Sequence, residues 1–89
     1  MKLFHRLILL RIYENGRISN QTSIHPTEDN ASRYATDCVN TGSADGFVVI
    51  EESKGSWRVV SEHLDVTRYD VTLRGGVFRI ERLPELVLV

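Results

Sequence analysis

The sequence predicts an α+β fold: an antiparallel sheet of about five to six strands packed on one helix, in the order β-β-α-β-β-β-β. Apolar side chains recur at every second residue in six segments and at every third or fourth residue in one. Asn-Gly, Lys-Gly and Gly-Gly pairs separate several of these segments and are typical of hairpin turns. With 89 residues, of which 42% are hydrophobic and 26% charged, the chain is predicted to form a single domain over residues 1–89.

The first two strands are predicted from the dipeptide Asn15-Gly16. Both residues tolerate a positive φ, which a two-residue type I′ turn requires. This turn sets Tyr13 opposite Ile18 and Leu7 opposite Ile24. Serine and glutamine alternate on the other face of the second strand, which is therefore predicted to face solvent.

A helix is predicted after the second strand. Pro26 ends that strand, Thr27 is the predicted N-cap, and Gly42 is the predicted residue after the helix. Apolar residues at helical spacing form one stripe that should face the sheet, namely Ala31, Tyr34, Ala35, Cys38 and Val39.

The C-terminal half predicts two more hairpins. Residues 47–52 and 57–62 are joined by the loop 53–55, which sets Val49 opposite Val59.

The last hairpin turns at Gly75-Gly76 and sets Leu73 opposite Phe78 and Val71 opposite Ile80. Leu86–Val89 is predicted as a short apolar tail.

The first strand is apolar on both faces, with Ile8 and Leu10 on one face and Leu7 and Leu9 on the other. A single helix covers only one face of a sheet. The second face must therefore meet the C-terminal tail, a curled part of the sheet or another chain, and a homodimer is one of these alternatives.

The reactive side chains are predicted to be structural, with no catalytic, cofactor-binding or metal site, so no enzyme activity is expected. Cys38 lies on the apolar stripe, where a free cysteine acts as a small hydrophobic residue. The three histidines lack metal-ligand spacing. Ser61, His63 and Asp65 combine a hydroxyl, an imidazole and a carboxylate, but a catalytic triad is recognised by its three-dimensional geometry and not by closeness in the sequence.

Two charged surfaces are the candidate binding sites. The first lies on the helix, opposite the apolar stripe, where charges spaced by four residues predict a ladder of ion pairs. We name it the acidic helix face, with the residues Glu28, Asp29, Arg33 and Asp37. The alternative is a nucleic-acid surface on the C-terminal hairpins, with the residues Arg58, Arg74, Arg79 and Arg82.

The net charge of −1 gives no broad electrostatic footprint for nucleic acid or an anionic membrane, so a protein is the favoured partner. The apolar N-terminal run is interrupted by His5 and Arg6, so we interpret it as a strand and not as a signal peptide or a membrane span. One cysteine and no export signal predict a cytoplasmic protein.

The small size, the short hairpins and the Tyr-Glu-Asn-Gly turn at residues 13–16 resemble the anti-CRISPR proteins of bacteriophages and mobile elements. This resemblance implies an inhibitor that occupies the nucleic-acid-binding surface of a bacterial defence complex, in the cytoplasm of the bacterial host. Two other functions remain open at this point: a nucleic-acid-binding protein and a structural protein that forms homo-oligomers.

Overall fold

The computed structural model describes residues 4–15, 17–64, 69–74 and 77–82. It has the predicted α+β class and the predicted order of elements. The elements are β1 (Phe4–Ile12), β2 (Ile18–His25), α1 (Glu28–Asn40), β3 (Gly46–Ser53), β4 (Ser56–His63), β5 (Tyr69–Arg74) and β6 (Val77–Arg82).

The strands form two sheets where a single sheet of about five to six strands was predicted. The larger sheet is antiparallel, with four strands in the order β2-β1-β3-β4. The smaller sheet is the antiparallel hairpin β5-β6. The predicted apolar tail at residues 86–89 and the predicted turn at Gly75-Gly76 lie outside the described residues.

The caps of α1 are those predicted from the sequence. The Thr27 hydroxyl oxygen accepts a hydrogen bond from the backbone N–H of Asn30 at 3.1 Å, which satisfies one of the unpaired donors of the first turn. Gly42 follows the helix with φ +80°, the left-handed conformation that ends many helices.

The predicted apolar stripe of α1 is correct except at one edge. Ala31 and Ala35 are fully buried and Val39 packs against the same cluster. Tyr34 instead is half exposed, with its ring 5.5 Å from that of His25. Tyr34 lies at the border of the stripe, where the helix surface curves away from the sheet.

The turn between β1 and β2 differs from the prediction. Tyr13 N–H donates to the carbonyl of Arg17 at 2.9 Å, and Ile12 lies opposite Ile18, so three residues form the loop. Asn15 does not adopt the positive φ that a type I′ turn needs. Its side-chain oxygen accepts a hydrogen bond from the N–H of Arg17 at 2.9 Å, a local bond that favours the longer loop. The predicted register of β1 and β2 was therefore wrong by one residue.

The register of β3 and β4 was also predicted incorrectly. Val49 lies opposite Ser61 and Ile50 lies opposite Val59, with a shift between them that corresponds to a β-bulge. The error begins at the turn: Ser53 lies opposite Ser56, so the loop has two residues, Lys54 and Gly55, where the loop 53–55 was predicted. The bulge then adds one further residue to β4. The last hairpin was predicted correctly, since Leu73 lies opposite Phe78 and Val71 opposite Ile80.

The larger sheet separates two apolar clusters. On one face α1 contributes to a cluster that contains Leu7, Ala31, Ala35, Phe47 and Val49. On the other face the hairpin β5-β6 contributes to a cluster that contains Ile8, Leu10, Val48, Ile50, Phe78 and Ile80. The second face of β1 is thus covered by this hairpin, which removes the argument that an uncovered face requires another chain.

Candidate functional site

The acidic helix face lies on the outer side of α1. Glu28, Asp29, Arg33 and Asp37 are all exposed, as their spacing predicted. The buried alanines hold the opposite side of the helix against β1 and β3, so the fold fixes these charged side chains toward solvent. The surface carries three carboxylates and one guanidinium group.

Of the two ion pairs predicted on the acidic helix face, the structure contains one, between Arg33 and Asp29. Arg33 Nε lies 3.2 Å from Asp29 Oδ2, and both side chains are more than three-quarters exposed. Helical side chains lean toward the N-terminus of the helix, so Arg33 reaches the residue four positions before it. Among the described residues Asp37 has no ion-pair partner, which corrects the expected pairing of Arg33 with Asp37.

Asp37 occupies an unfavourable position in the helix. It lies in the last turn, which contains no basic residue, and the C-terminal end of a helix carries partial negative charge. Glu28 and Asp29 lie in the first turn, where the same dipole favours them. Asp37 therefore costs stability, whereas the other two carboxylates contribute to it. Together with Ser32, Arg33 and Thr36, Asp37 lines a shallow depression on the helix.

The alternative arginine surface is divided. Arg58 Nε lies 3.2 Å from Glu51 Oε1, so its charge is matched by a carboxylate. Arg79 is exposed on β6 and lines a small depression together with Glu81. The side chains of Arg74 and Arg82 lie outside the described part of the structure.

A polar row that the sequence analysis did not find crosses the helix side of the larger sheet. His25, His5, Glu51 and Arg58 lie opposite one another on β2, β1, β3 and β4. His5 Nε2 lies 3.5 Å from Glu51 Oε2, and the other oxygen of this carboxylate meets Arg58. His5 is buried, and among the described residues its Nδ1 has no hydrogen-bond partner.

On the opposite side of the sheet a second ion pair lies at the same end. Arg6 Nε donates to Glu52 Oε2 at 2.8 Å, and a second Arg6 nitrogen lies 3.4 Å from the other oxygen. The guanidinium group also lies over the ring of Phe78, 5.3 Å from its centre. Phe78 in turn meets the edge of Trp57, with ring centres 5.2 Å apart.

These polar groups neutralise one another. The carboxylates of Glu51 and Glu52 each face an arginine, Arg58 and Arg6 respectively. We therefore interpret both ion pairs as structural contacts at one end of the sheet. Strand alternation places His5 on the same face as Leu7, but its contact with Glu51 depends on the pairing of β1 with β3. β2 and α1 lie between β1 and β3 in the sequence, so no local signal sets the register of this pair.

Cys38 and His63 lie on different elements, α1 and β4. Cys38 is partly buried on α1, and the ring of His63 stacks on Phe47 with centres 5.9 Å apart. Asp65, the third member of the Ser-His-Asp combination, lies outside the described residues. Within the ranges described above, no cluster of three or more His, Cys, Asp or Glu side chains could hold a metal ion. In these same ranges no helix is long and apolar enough to span a membrane.

Comparison of the chain with protein-family models, with curated proteins and with solved structures found no match.

Proposed function

We propose that this chain is a small, non-enzymatic protein-binding module that uses the acidic helix face to bind a basic surface on its partner. The observation that supports this most directly is the position of Asp37. Asp37 is exposed, lies at the negative end of the helix and has no ion-pair partner in the described part of the chain, a combination that lowers stability. Such local conflicts are concentrated at functional positions.

The partner that fits this surface is a protein whose arginines or lysines bind phosphate groups. Carboxylates on a rigid helix can accept charge-assisted hydrogen bonds from guanidinium groups and occupy the place of a nucleic-acid backbone. The resemblance to anti-CRISPR proteins names one such partner, the nucleic-acid-binding groove of a bacterial CRISPR interference complex. On this proposal the chain is an inhibitor encoded by a phage or mobile element, and it acts in the bacterial cytoplasm.

The first experiment measures inhibition. Purified CRISPR interference complexes of several types are incubated with the chain, and binding and cleavage of target DNA are recorded. We expect the chain to reduce DNA binding by at least one of these complexes. If all of them bind and cleave DNA normally at saturating concentrations of the chain, a CRISPR complex is not its partner.

The second experiment tests the surface. Replacing Asp29 and Asp37 with lysine is expected to weaken binding to the partner by about tenfold or more, measured by calorimetric titration. The matched control replaces Glu14 and Glu62 with lysine, which makes the same change in charge at two exposed residues away from the helix. Equal loss of affinity in both variants would show a general charge effect and would remove the acidic helix face from the proposal.

The single substitution Asp37→Asn separates binding from folding. Removing this charge should raise the free energy of unfolding by a few tenths of a kcal/mol, because the helix dipole disfavours a carboxylate there. The same substitution should weaken partner binding. A variant that is more stable and binds less tightly cannot have lost affinity through unfolding.

Direct nucleic-acid binding is tested in the same series by the mobility of labelled DNA and RNA at low and high salt.

A further inference from the structure

The larger sheet has two edges, β2 and β4, which differ in how they are protected. Natural edge strands resist pairing with other chains through bulges, charged side chains and prolines. β4 has a register shift opposite Val49 and Ile50 and carries the exposed charges of Arg58 and Glu62. This edge is therefore protected.

β2 has none of these features. From Ile18 to Ile24 it contains no charged residue and no proline, and its pairing with β1 is continuous. Ile24 is 61% exposed. A neutral, regular edge strand with an exposed isoleucine is suited to pair with another strand.

The hydrogen bonds of β1 identify the backbone groups on the free edge of β2. Tyr13 N–H donates to the Arg17 carbonyl, so Arg17 belongs to a pair that bonds toward β1. Pairs alternate along antiparallel strands, so the next residue points its N–H and C=O away from β1. The groups at positions 18, 20, 22 and 24 therefore face outward. In the described part of the chain no strand pairs with this edge. β6 contacts β2 through a side chain, since the N–H of Ile80 donates to the Asn20 side-chain oxygen at 3.1 Å and leaves the outward backbone groups of β2 unpaired by a ladder.

We propose that the free edge of β2 pairs with β2 of a second copy of this chain, in antiparallel orientation with Gln21 on the two-fold axis. Ile18 then lies opposite Ile24 of the second copy, and Asn20 lies opposite Thr22. The outward backbone groups form about eight hydrogen bonds across the axis. The two larger sheets join into one continuous sheet.

The chemistry of the edge favours a second copy as the occupant. In this register apolar side chains face apolar ones and small polar side chains face small polar ones, which is the self-complementarity that a two-fold axis requires. No like charges meet between Ile18 and Ile24. The net charge of −1 also gives two copies little long-range repulsion. This dimer uses β2 and is independent of the acidic helix face.

The association is tested by sedimentation of the full chain over a range of concentrations. We expect a reversible dimer, and Ile24→Glu should raise its dissociation constant by about tenfold or more. Glutamate suits the monomer, because Arg6 lies opposite position 24 on β1. The matched control is Val77→Glu, at a 57% exposed residue of β6, which should leave the dimer unchanged.

The register is tested by cysteine crosslinking in a Cys38→Ala background. Gln21→Cys places two cysteines opposite each other on the axis, in a pair with close Cα atoms, and should form a disulfide-linked dimer. Ser19→Cys lies opposite Ser23 of the second copy and should crosslink several times less. Circular dichroism of each variant checks that the monomer remains folded.

Some outcomes overturn the proposal. A full chain that sediments as a monomer at every concentration excludes this dimer, whether the edge is then free or occupied by another segment or another protein. Equal sensitivity of the dimer to Ile24→Glu and Val77→Glu shows an interface elsewhere. Equal crosslinking at positions 19 and 21, or none at 21, rejects the register.

Discussion

Gly46 lies at the start of β3, beside the backbone at the end of β4. A Cβ atom at this position would be 2.5 Å from the backbone oxygen of His63 and 3.5 Å from the Cα of Leu64. Both neighbours are backbone atoms, so a side-chain rotation cannot relieve the contact. Glycine is required here by space, since its φ is not in the left-handed region.

We therefore expect Gly46→Ala to lower the free energy of unfolding by about 2 kcal/mol or more, the usual range for overpacking a buried position. Urea denaturation monitored by fluorescence of Trp57 measures the effect. The control is Gly42→Ala, where a Cβ meets nothing within 4 Å and only the φ of +80° opposes the change. That cost is about 1 kcal/mol. A loss at Gly46 no larger than at Gly42 would contradict the steric argument.

At single residues the sequence indicated conformation better than contacts. Thr27 and Gly42 were identified as helix caps because each acts through its own neighbours in the chain. Asn15 was assigned to the wrong turn because its side chain has two local uses: to support a positive φ, or to accept the N–H of Arg17. The contact of His5 with Glu51 had no local signal at all.

At the scale of elements, α1 depends on its first turn. The side-chain oxygen of Thr27 accepts a hydrogen bond from the N–H of Asn30. Alanine has no side-chain acceptor, so it cannot make this hydrogen bond. Thr36 is exposed within the same helix and its hydroxyl donates to the carbonyl of Ser32, which already accepts a helical hydrogen bond. Two identical substitutions should therefore have opposite effects.

We expect Thr27→Ala to lower the free energy of unfolding by about 1 kcal/mol. Thr36→Ala should raise it by a few tenths of a kcal/mol, because alanine has the higher helix propensity. Thermal and urea denaturation followed by circular dichroism at 222 nm, a wavelength dominated by helical signal, distinguish the two. Equal losses in both variants would show that the cap makes no specific contribution.

The elements themselves were predictable because the apolar residues of each recur with a helical or strand period. The register was predicted correctly for one of the three hairpins. The third hairpin was placed correctly, since Val71, Leu73, Phe78 and Ile80 match across a regular pair. The second was not, because its loop has two residues where three were predicted, and a bulge in β4 then moves Ser61 opposite Val49. The register of a hairpin is therefore predictable only where the loop length is identified correctly and both strands are regular.

At the scale of the whole molecule, the arrangement follows from strands with two apolar faces. β1 and β3 lie in the centre of the larger sheet, and each supplies buried residues to both clusters. Their pairing sets Phe4 opposite Glu52 and so closes a long loop, at a cost in chain entropy. The register of this pair is set by tertiary packing and not by any local sequence signal. The candidate site was predictable in part, because the helical period shows which residues of α1 face outward. The choice of Asp29 and not Asp37 as the partner of Arg33 was not predicted, since it depends on the direction in which the Arg33 side chain points.

The hairpin β5-β6 covers the second face of the larger sheet mainly through two buried residues, Phe78 and Ile80. The ring of Phe78 also meets Trp57 and the Arg6 guanidinium, so it connects the hairpin to β4 and β1. Without this ring the apolar side chains beneath it would be exposed to water.

We expect Phe78→Ala to lower the free energy of unfolding by about 3 kcal/mol, the usual lower range for a buried phenylalanine. Leu73→Ala, at the residue opposite on β5, should cost less than about 1 kcal/mol because Leu73 is 44% exposed. Urea denaturation measures both, and binding of an apolar fluorescent dye should increase for Phe78→Ala only. A small cost at Phe78 with no dye binding would mean that the sheet is stable without the hairpin, and the second cluster would then not be part of the core.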